Sequence, residues 1–517
     1  MTTKLEKNAA GRMVPRGVNG REGVPFKGVG KHRPDGAKAA PRVTTCVDYP
    51  ADGDKRMPSL KAAFESVGLA DGMVVSTHHH LRNGDAVGNL IFDTAAEMGL
   101  SDLMWFPSAS FPVHANQIGH LDAGVIHHIE GSMNGPLGAY CSAGKMRGLG
   151  VLRSHGGRWQ AIQDGEVHID VAVIAAPTAD AFGNANAVHG PAACGLLGFA
   201  LADSIYAEKV IVVTDNLVPF PCLPWQIQGN NVDAVVEVPS IGDPSKIVSG
   251  TTRITQSPDR RRIAELAARF CAEAGIMCDG FSFQAGAGGT TLAFAMYLAE
   301  LMRADNITAR FARGGSTEHM VEMLDEGLVE YILDGQTFDL DGVRSMRDDP
   351  RHQDTSPFTS YNFHGKGNFA SMVDVAVLGA TEVDLGFNGN VVTHSDGRLL
   401  HGIGGWQNCL AARCSMLLVP SFRDRIPVIV DEVTTLCGPG ELIDVVVTER
   451  GIAVNPRRRD LLDAVADSAL PIRPIEDLKA ELDRICGVPA TPPRSDQPVA
   501  VVKWVDGTVI DTVWRVG

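Results

Sequence analysis

Three short stretches of this chain occur twice, in the same order and at nearly constant spacing. Asp170-Val-Ala-Val-Ile-Ala-Ala, followed by Asp180, Phe182 and Asn184, returns as Asp374-Val-Ala-Val-Leu-Gly-Ala, followed by Asp384, Phe387 and Asn388. Asp71-Gly72-Met-Val-Val-Ser returns as Asp279-Gly280-Phe-Ser-Phe-Gln, and Val232-Asp233-Ala-Val-Val-Glu-Val as Ile443-Asp444-Val-Val-Val-Thr-Glu. The offsets are 204, 208 and 211 residues. One apolar run recurs by accident; three in register do not. The chain therefore reads as two related domains in tandem, 46–257 and 258–517, with Pro258 as the break.

Within each half, short β-branched runs alternate with helical stretches such as Leu60 to Val67, Val87 to Met98, Arg260 to Glu273 and Thr291 to Met302. That alternation predicts α/β domains with mainly parallel, buried sheets. The predicted strands are 73–76, 170–176, 209–215, 234–238, 307–311, 374–380, 415–419, 427–430 and 443–448.

Composition narrows the function. A net charge of -15 disfavours a nucleic-acid surface, and no run approaches the roughly 18 to 20 apolar residues of a membrane helix. The reading is a cytoplasmic protein. Ten scattered cysteines without a C-x-x-C pair argue for buried thiols rather than disulfides, zinc or iron–sulfur sites. No metal is expected at His78-His79-His80 either, because adjacent side chains diverge. Residues 1–45 form a separate arm, extended or disordered. Its first 42 residues carry a charge of +7, leaving -22 on the rest, so the arm is suited to an acidic surface, with a neighbouring subunit as one candidate.

The halves differ in the loops that follow their first strands. The first half has His78-His79-His80-Leu81-Arg82-Asn83-Gly84-Asp85; the second has Gln284-Ala285-Gly286-Ala287-Gly288-Gly289-Thr290-Thr291. Open α/β sheets bind ligands at such strand ends. The first loop is cationic, and the second offers backbone N–H groups to a phosphate or oxyanion. His401-Gly402-Ile403-Gly404-Gly405-Trp406 is a second glycine loop, preceded by the carboxylate of Glu382, and Ser154-His155-Gly156-Gly157-Arg158 adds cations in a flexible turn. Cationic loops facing backbone donors suit a reaction between a polycarboxylate and an acyl group.

These motifs, from about Ala63 to the C-terminus, resemble the citrate lyase alpha subunit family. The matching stretches are Ser76-x-His78-His79-x-x-Arg82-x-Gly84-Asp85, Ser154-His-Gly-Gly-Arg158, Phe182-Gly-Asn-Ala-Asn186 and Gln284-x-Gly286-x-Gly288-Gly289. Asp396-Gly397 with Gly404-Gly405, and Gly451-Ile-Ala-Val-Asn-Pro456, complete the set. The resemblance implies a tandem pair of CoA-transferase-like domains and an acyl exchange. An acetyl thioester, on an acyl carrier (gamma) subunit or on free CoA, reacts with citrate to give citryl thioester and acetate. A separate beta subunit then cleaves the citryl group. The CoA-derived prosthetic group belongs to the carrier, so no tightly bound cofactor is expected here, and the chain is expected in an oligomer.

On that basis His78, His79, Arg82, His155 and Arg158 are candidates for citrate. Gln284, Gly286, Gly288 and Gly289 are candidates for the thioester, with Gly404, Gly405, Glu382 and Glu318 in catalysis. Glu318 departs from the family pattern. It lies in Gly314-Gly315-Ser316-Thr317-Glu318, the Thr-Glu context in which other CoA-transferases carry a covalent acyl group. The alternatives are a free-standing di- or tricarboxylate CoA-transferase working through Glu318, and a non-catalytic ligand-binding protein of the same fold.

Overall fold

The computed structural model describes residues 4–35, 40–41, 50, 52–248, 253–286, 288–489 and 495–516. Residues 1–3, 36–39 and 42–45 of the predicted arm, Cys46 and Ala287 lie outside them.

The first half is built on β1 (Arg56–Met57), β2 (Val74–Thr77), β3 (Leu103–Pro107), β4 (Ile126–Ile129), β5 (Val171–Ala176), β6 (Lys209–Thr214) and β7 (Ala234–Glu237). They form one sheet, ordered β1-β7-β6-β5-β2-β3-β4 and parallel throughout. The second half contributes β8 (Ser282–Ala285), β9 (Phe311–Ser316), β10 (Ile332–Thr337), β11 (His352–Asp354), β12 (Val375–Leu378), β13 (Cys414–Leu418), β14 (Val445–Thr448) and β15 (Gly451–Val454). Its order is β11-β10-β9-β8-β12-β13-β14-β15, antiparallel only at the last pair. Six strands thus repeat in the same spatial order, as the duplication predicts. In each half the chain runs outward from the first of the six, then returns beside it, which makes the β2/β5 and β8/β12 boundaries topological switch points.

The repeated aspartates have a physical job. At the start of a parallel strand the first N–H lacks a ladder partner, and a buried N–H must be satisfied. Asp170 accepts from Val74 N (2.7 Å), and Asp374 accepts from Ser282 N (2.9 Å). Asp233 accepts from Val210 N and Asp444 from Ser415 N, each at 2.8 Å. Asp180 and Asp384 each gather the N–H groups of the turn that follows.

Two predicted elements differ. The strand expected at 307–311 lies at Phe311–Ser316, because Gly314-Gly315 are part of it rather than a loop, pairing across a bulge at Gly335 of β10. Ser154 to Arg158 is no flexible turn: Ser154 caps α1 (His155–Gln163), its Oγ accepting from Gly157 N at 3.0 Å.

One apolar core runs from Phe26 through both halves to Val513, and a second fills the outer side of the second sheet. The C-terminal strands 498–503 and 509–514 cross back to the first half, where Pro498–Lys503 runs parallel to Gly150–Leu152. The basic arm lies on this hairpin. Asn8 Nδ2 donates to Val509 O and Ile510 O, and Thr512 Oγ1 donates to Met13 O. Arg12 reaches Asp511 and Glu432, and Arg21 reaches Glu130, so the acids that meet the arm are the chain's own. No helix among the described residues is long and apolar enough to cross a membrane.

Candidate active site

β2 ends at Thr77, at the first switch point, and delivers the histidine run into the space between the halves. The three rings diverge. His78 Nε2 lies 3.4 Å from Asp203, and His80 Nε2 meets Ala175 O. His79 contacts Ser108 Oγ through Nδ1 (2.6 Å) and Gln336 Oε1, in the second half, through Nε2 (3.1 Å). The His155 ring stacks on His79 at 5.3 Å, with Phe199 against both. Burial pushes His78 and His155 down to about 3 and holds His79 well below the ordinary imidazole range. The imidazoles are therefore neutral at physiological pH, not cations as the sequence suggested.

The two arginines differ as well. Arg82 takes a left-handed conformation (φ 53°) and lays its guanidinium over Phe111 of the first half and Phe338 of the second, 5.3 and 4.8 Å from the ring centres. Burial lowers it to about 10, and it stays charged. Arg158 is engaged by protein: its guanidinium binds both oxygens of the buried Asp203 (2.7 and 2.8 Å) and Ser76 Oγ (2.6 Å). It braces the strand end beneath His78 rather than presenting an open fork.

The glycine loops adjoin this face from the second half. His155 N donates to Gly404 O (2.8 Å), Gly156 N to Asn408 Oδ1 (3.1 Å) and Gly402 N to Ser132 Oγ (3.0 Å). Gly156 is needed for this approach, since a Cβ there would stand 2.4 Å from Asn408 Nδ2 and 2.8 Å from Tyr361 O. Gly404 turns at φ +61° beside the His155 ring. Gly288 caps α2 (Gly289–Asp305), with Thr291 Oγ1 donating to Gly286 O and Gly288 O, so the strand end opens onto a helix N-terminus. Gln284 Nε2 meets Cys409 Sγ at 2.6 Å, joining the two loops.

Neither candidate carboxylate bonds to these groups, although Glu318 adjoins Asp339, the neighbour of Phe338. Glu318 is exposed at the first position of α3 (Glu318–Asp325), its N–H donating to Asp339. Glu382 is buried, its carboxylate accepting from Asn390 Nδ2, Thr434 N and Thr434 Oγ1, and it lines a different cavity of about 310 Å³ together with Lys479 and Trp514. The structure thus brings together His79, Arg82, His155, Gly404, Gly405 and Gln284. Gln336, Phe338, Phe199, Tyr361 and Arg313 were missed. The four-residue offset in placing β9 hid Arg313, while Gln336 and Phe338 follow from β10, a strand that carries no β-branched run.

Comparisons with known proteins bear on the family and the fold. The family model for the citrate lyase alpha subunit matches residues 53–516. The citrate lyase alpha chains of Haemophilus influenzae and Klebsiella pneumoniae are each 40% identical, covering 89% of this chain and 93% and 91% of their own. A crystal structure described as the alpha subunit of citrate lyase in complex with citrate, from Streptococcus mutans, superposes with a TM-score of 0.93 at 40% identity, covering 99% of this chain and 100% of that one. A Pseudomonas malonate decarboxylase shares the fold at 19% identity and TM-score 0.60, covering 84% of this chain and 89% of that chain. With nearly the whole chain matched by the family model and by relatives at this identity, the chain belongs to the citrate lyase alpha subunit family.

Proposed function

We propose that this chain is the transferase subunit of a cytoplasmic, multi-subunit citrate lyase, exchanging the acetyl group of a carrier-bound or CoA thioester for citrate. The observation that carries this reading is the grouping of side chains at the two switch points. In a chain of this family, neutral His79 and His155 and the charged Arg82 face the Gly404–Gly405 turn and Gln284 across the boundary between the halves.

The chemistry requires two anionic partners to be held together and tetrahedral oxyanions to be stabilised. A citrate carboxylate attacks the acetyl thioester carbonyl, and collapse releases thiolate and leaves a mixed anhydride. The thiolate then attacks the citryl carbonyl and expels acetate, giving citryl thioester. Arg82 holds a carboxylate, and its flanking phenyl rings exclude water from the ion pair. The neutral imidazoles donate or accept hydrogen bonds without drawing citrate into a salt bridge too tight to react. Backbone N–H groups at the start of α2 and around Gly404–Gly405 receive the developing oxyanion. With Glu318 exposed and Glu382 held by Thr434 and Asn390, the direct route is favoured over a glutamyl thioester. Mixing the purified chain with acetyl-CoA and a panel of carboxylates, and identifying the new thioesters by mass, tests the reading. Citryl-CoA is expected; a product from another acid with none from citrate would refute it.

A further inference from the structure

Side chains alternate along β9. Ala312 enters the outer core, whereas Phe311 points to the opposite side, into the core shared by both halves, and Arg313 points with it toward Tyr361. Four arginines are buried among the described residues. Three have acids: Arg12 with Asp511, Arg153 with Glu130 and Glu166, Arg158 with Asp203. Arg313 is the exception. It is fully enclosed, donates from Nη1 to Gln284 Oε1 (2.8 Å) and lies beside the Tyr361 side chain, and among the described residues it forms no ion pair with a carboxylate. An enclosed guanidinium without a counter-ion is costly, so something must repay it when the protein works.

Its surroundings say what. Tyr361 lies under the guanidinium, 4.9 Å from ring centre to Cζ, and the Tyr361 hydroxyl stands 2.9 Å from where a Cβ on Gly405 would be. Gln284, which takes that hydrogen bond, leads directly into the Gly286–Gly289 loop and touches Cys409 behind Gly405. Arg313 therefore lies beneath the junction of the two glycine loops, two residues before Gly315, whose side-chain space is filled by Phe338, the ring under Arg82.

We propose that Arg313 and Gln284 form a carboxylate-binding subsite on the second half, completed by the anion that the substrate supplies. A di- or tricarboxylate would span the crevice, one carboxylate on Arg82 and another on Arg313. This rests on the polycarboxylate reading above. Because Arg313 is enclosed, occupancy requires the Gly404–Gly405 turn and the Tyr361 ring to shift outward.

The test is calorimetric titration of the full chain, wild type, R313M and R313K, with citrate and separately with acetyl-CoA, alongside melting temperatures without ligand. R313M should bind citrate at least tenfold more weakly and acetyl-CoA within twofold of wild type. Without ligand it should melt no lower than wild type, because the uncompensated charge is gone. R313K, retaining the charge without the fork, should fall between, and it decides the matter if R313M does not fold. Citrate binding by R313M within threefold of wild type would overturn the subsite, as would a lowered melting temperature with parallel loss of both ligands. A wild-type chain that binds no polycarboxylate would instead remove the citrate reading on which the subsite stands.

Discussion

Acid should unfold this protein well above the pH at which its carboxylates protonate. His78 and His155 are pushed from 6.5 to about 3 by burial, so the folded chain keeps both neutral at pH 5. The unfolded chain does not: its histidines, at 6.5, take up protons as pH falls through 6. The unfolded state thus binds more protons between about pH 6.5 and 3, and stability drops on acidification throughout that window. Between pH 7 and 5 the loss is about 2 kcal/mol per histidine, hence about 4 kcal/mol for the pair. His79 and His80 are shifted the same way and add to it. Against a typical total of about 5 to 15 kcal/mol this is a large fraction. Glu166 and Asp203, held down by arginine, lose their contribution only below the ordinary carboxylate range, while burial raises Asp339, Asp354, Asp384, Asp444 and Asp506, which oppose the loss, so the fall in the upper window is driven by the histidines and partly offset by these acids. Urea midpoints followed by circular dichroism at pH 7, 6 and 5 measure the slope, and His155→Gln should reduce the pH 7 to 5 loss by about 2 kcal/mol. A midpoint that does not move between pH 7 and 5, or a His155→Gln slope equal to wild type, would refute the reasoning.

The two arginines of the first half should separate. Arg158→Met leaves Asp203 buried without its partner and is expected to cost about 3 to 5 kcal/mol in urea denaturation, whereas Arg82→Met should leave stability within about 1 kcal/mol and raise the citrate KM at least about tenfold with the donor KM unchanged. Glu318→Gln should retain at least half of the activity, and intact mass after acetyl-CoA alone should show no acyl adduct; a stoichiometric adduct on Glu318 that citrate discharges would establish the covalent route. Gly156→Ala forces a methyl group against Asn408 and Tyr361 and should cost about 1 to 3 kcal/mol while lowering activity, measured by melting and by thioester exchange.

The fold was readable because its repeat is written in residues that are structurally obligatory. Asp170 and Asp374 recur since each parallel strand start needs an acceptor, and the flanking valines recur since both faces are buried. Less was legible where long-range geometry decides. Nothing local in Ser154-His-Gly-Gly-Arg158 announces a helix, because its two glycines disfavour one and only long-range packing against Tyr361 and Asn408 requires Gly156. Arg158 matches a substrate cation by residue type, yet Asp203, 45 positions away, claims it. Arg313 lay hidden in a strand whose glycines imitate a loop. The site was found by its loops, and the residues beneath the loops were not.

The clasp of the basic arm on the C-terminal hairpin bears on the order of assembly. The hydrogen bond from Asn8 to Ile510 spans 502 positions of sequence, and strand 498–503 docks on Gly150–Leu152 some 350 positions earlier. Closing so long a loop from an unfolded chain carries an entropic cost that a few hydrogen bonds do not offset. Once each sheet has folded around its own switch point and the halves have docked, the ends are already near one another and closure becomes almost free. The clasp is therefore the last structure to form and the first able to open. Since Arg12 also grips Val433 O in the second half, the closed clasp ties the N-terminal arm to both halves at once.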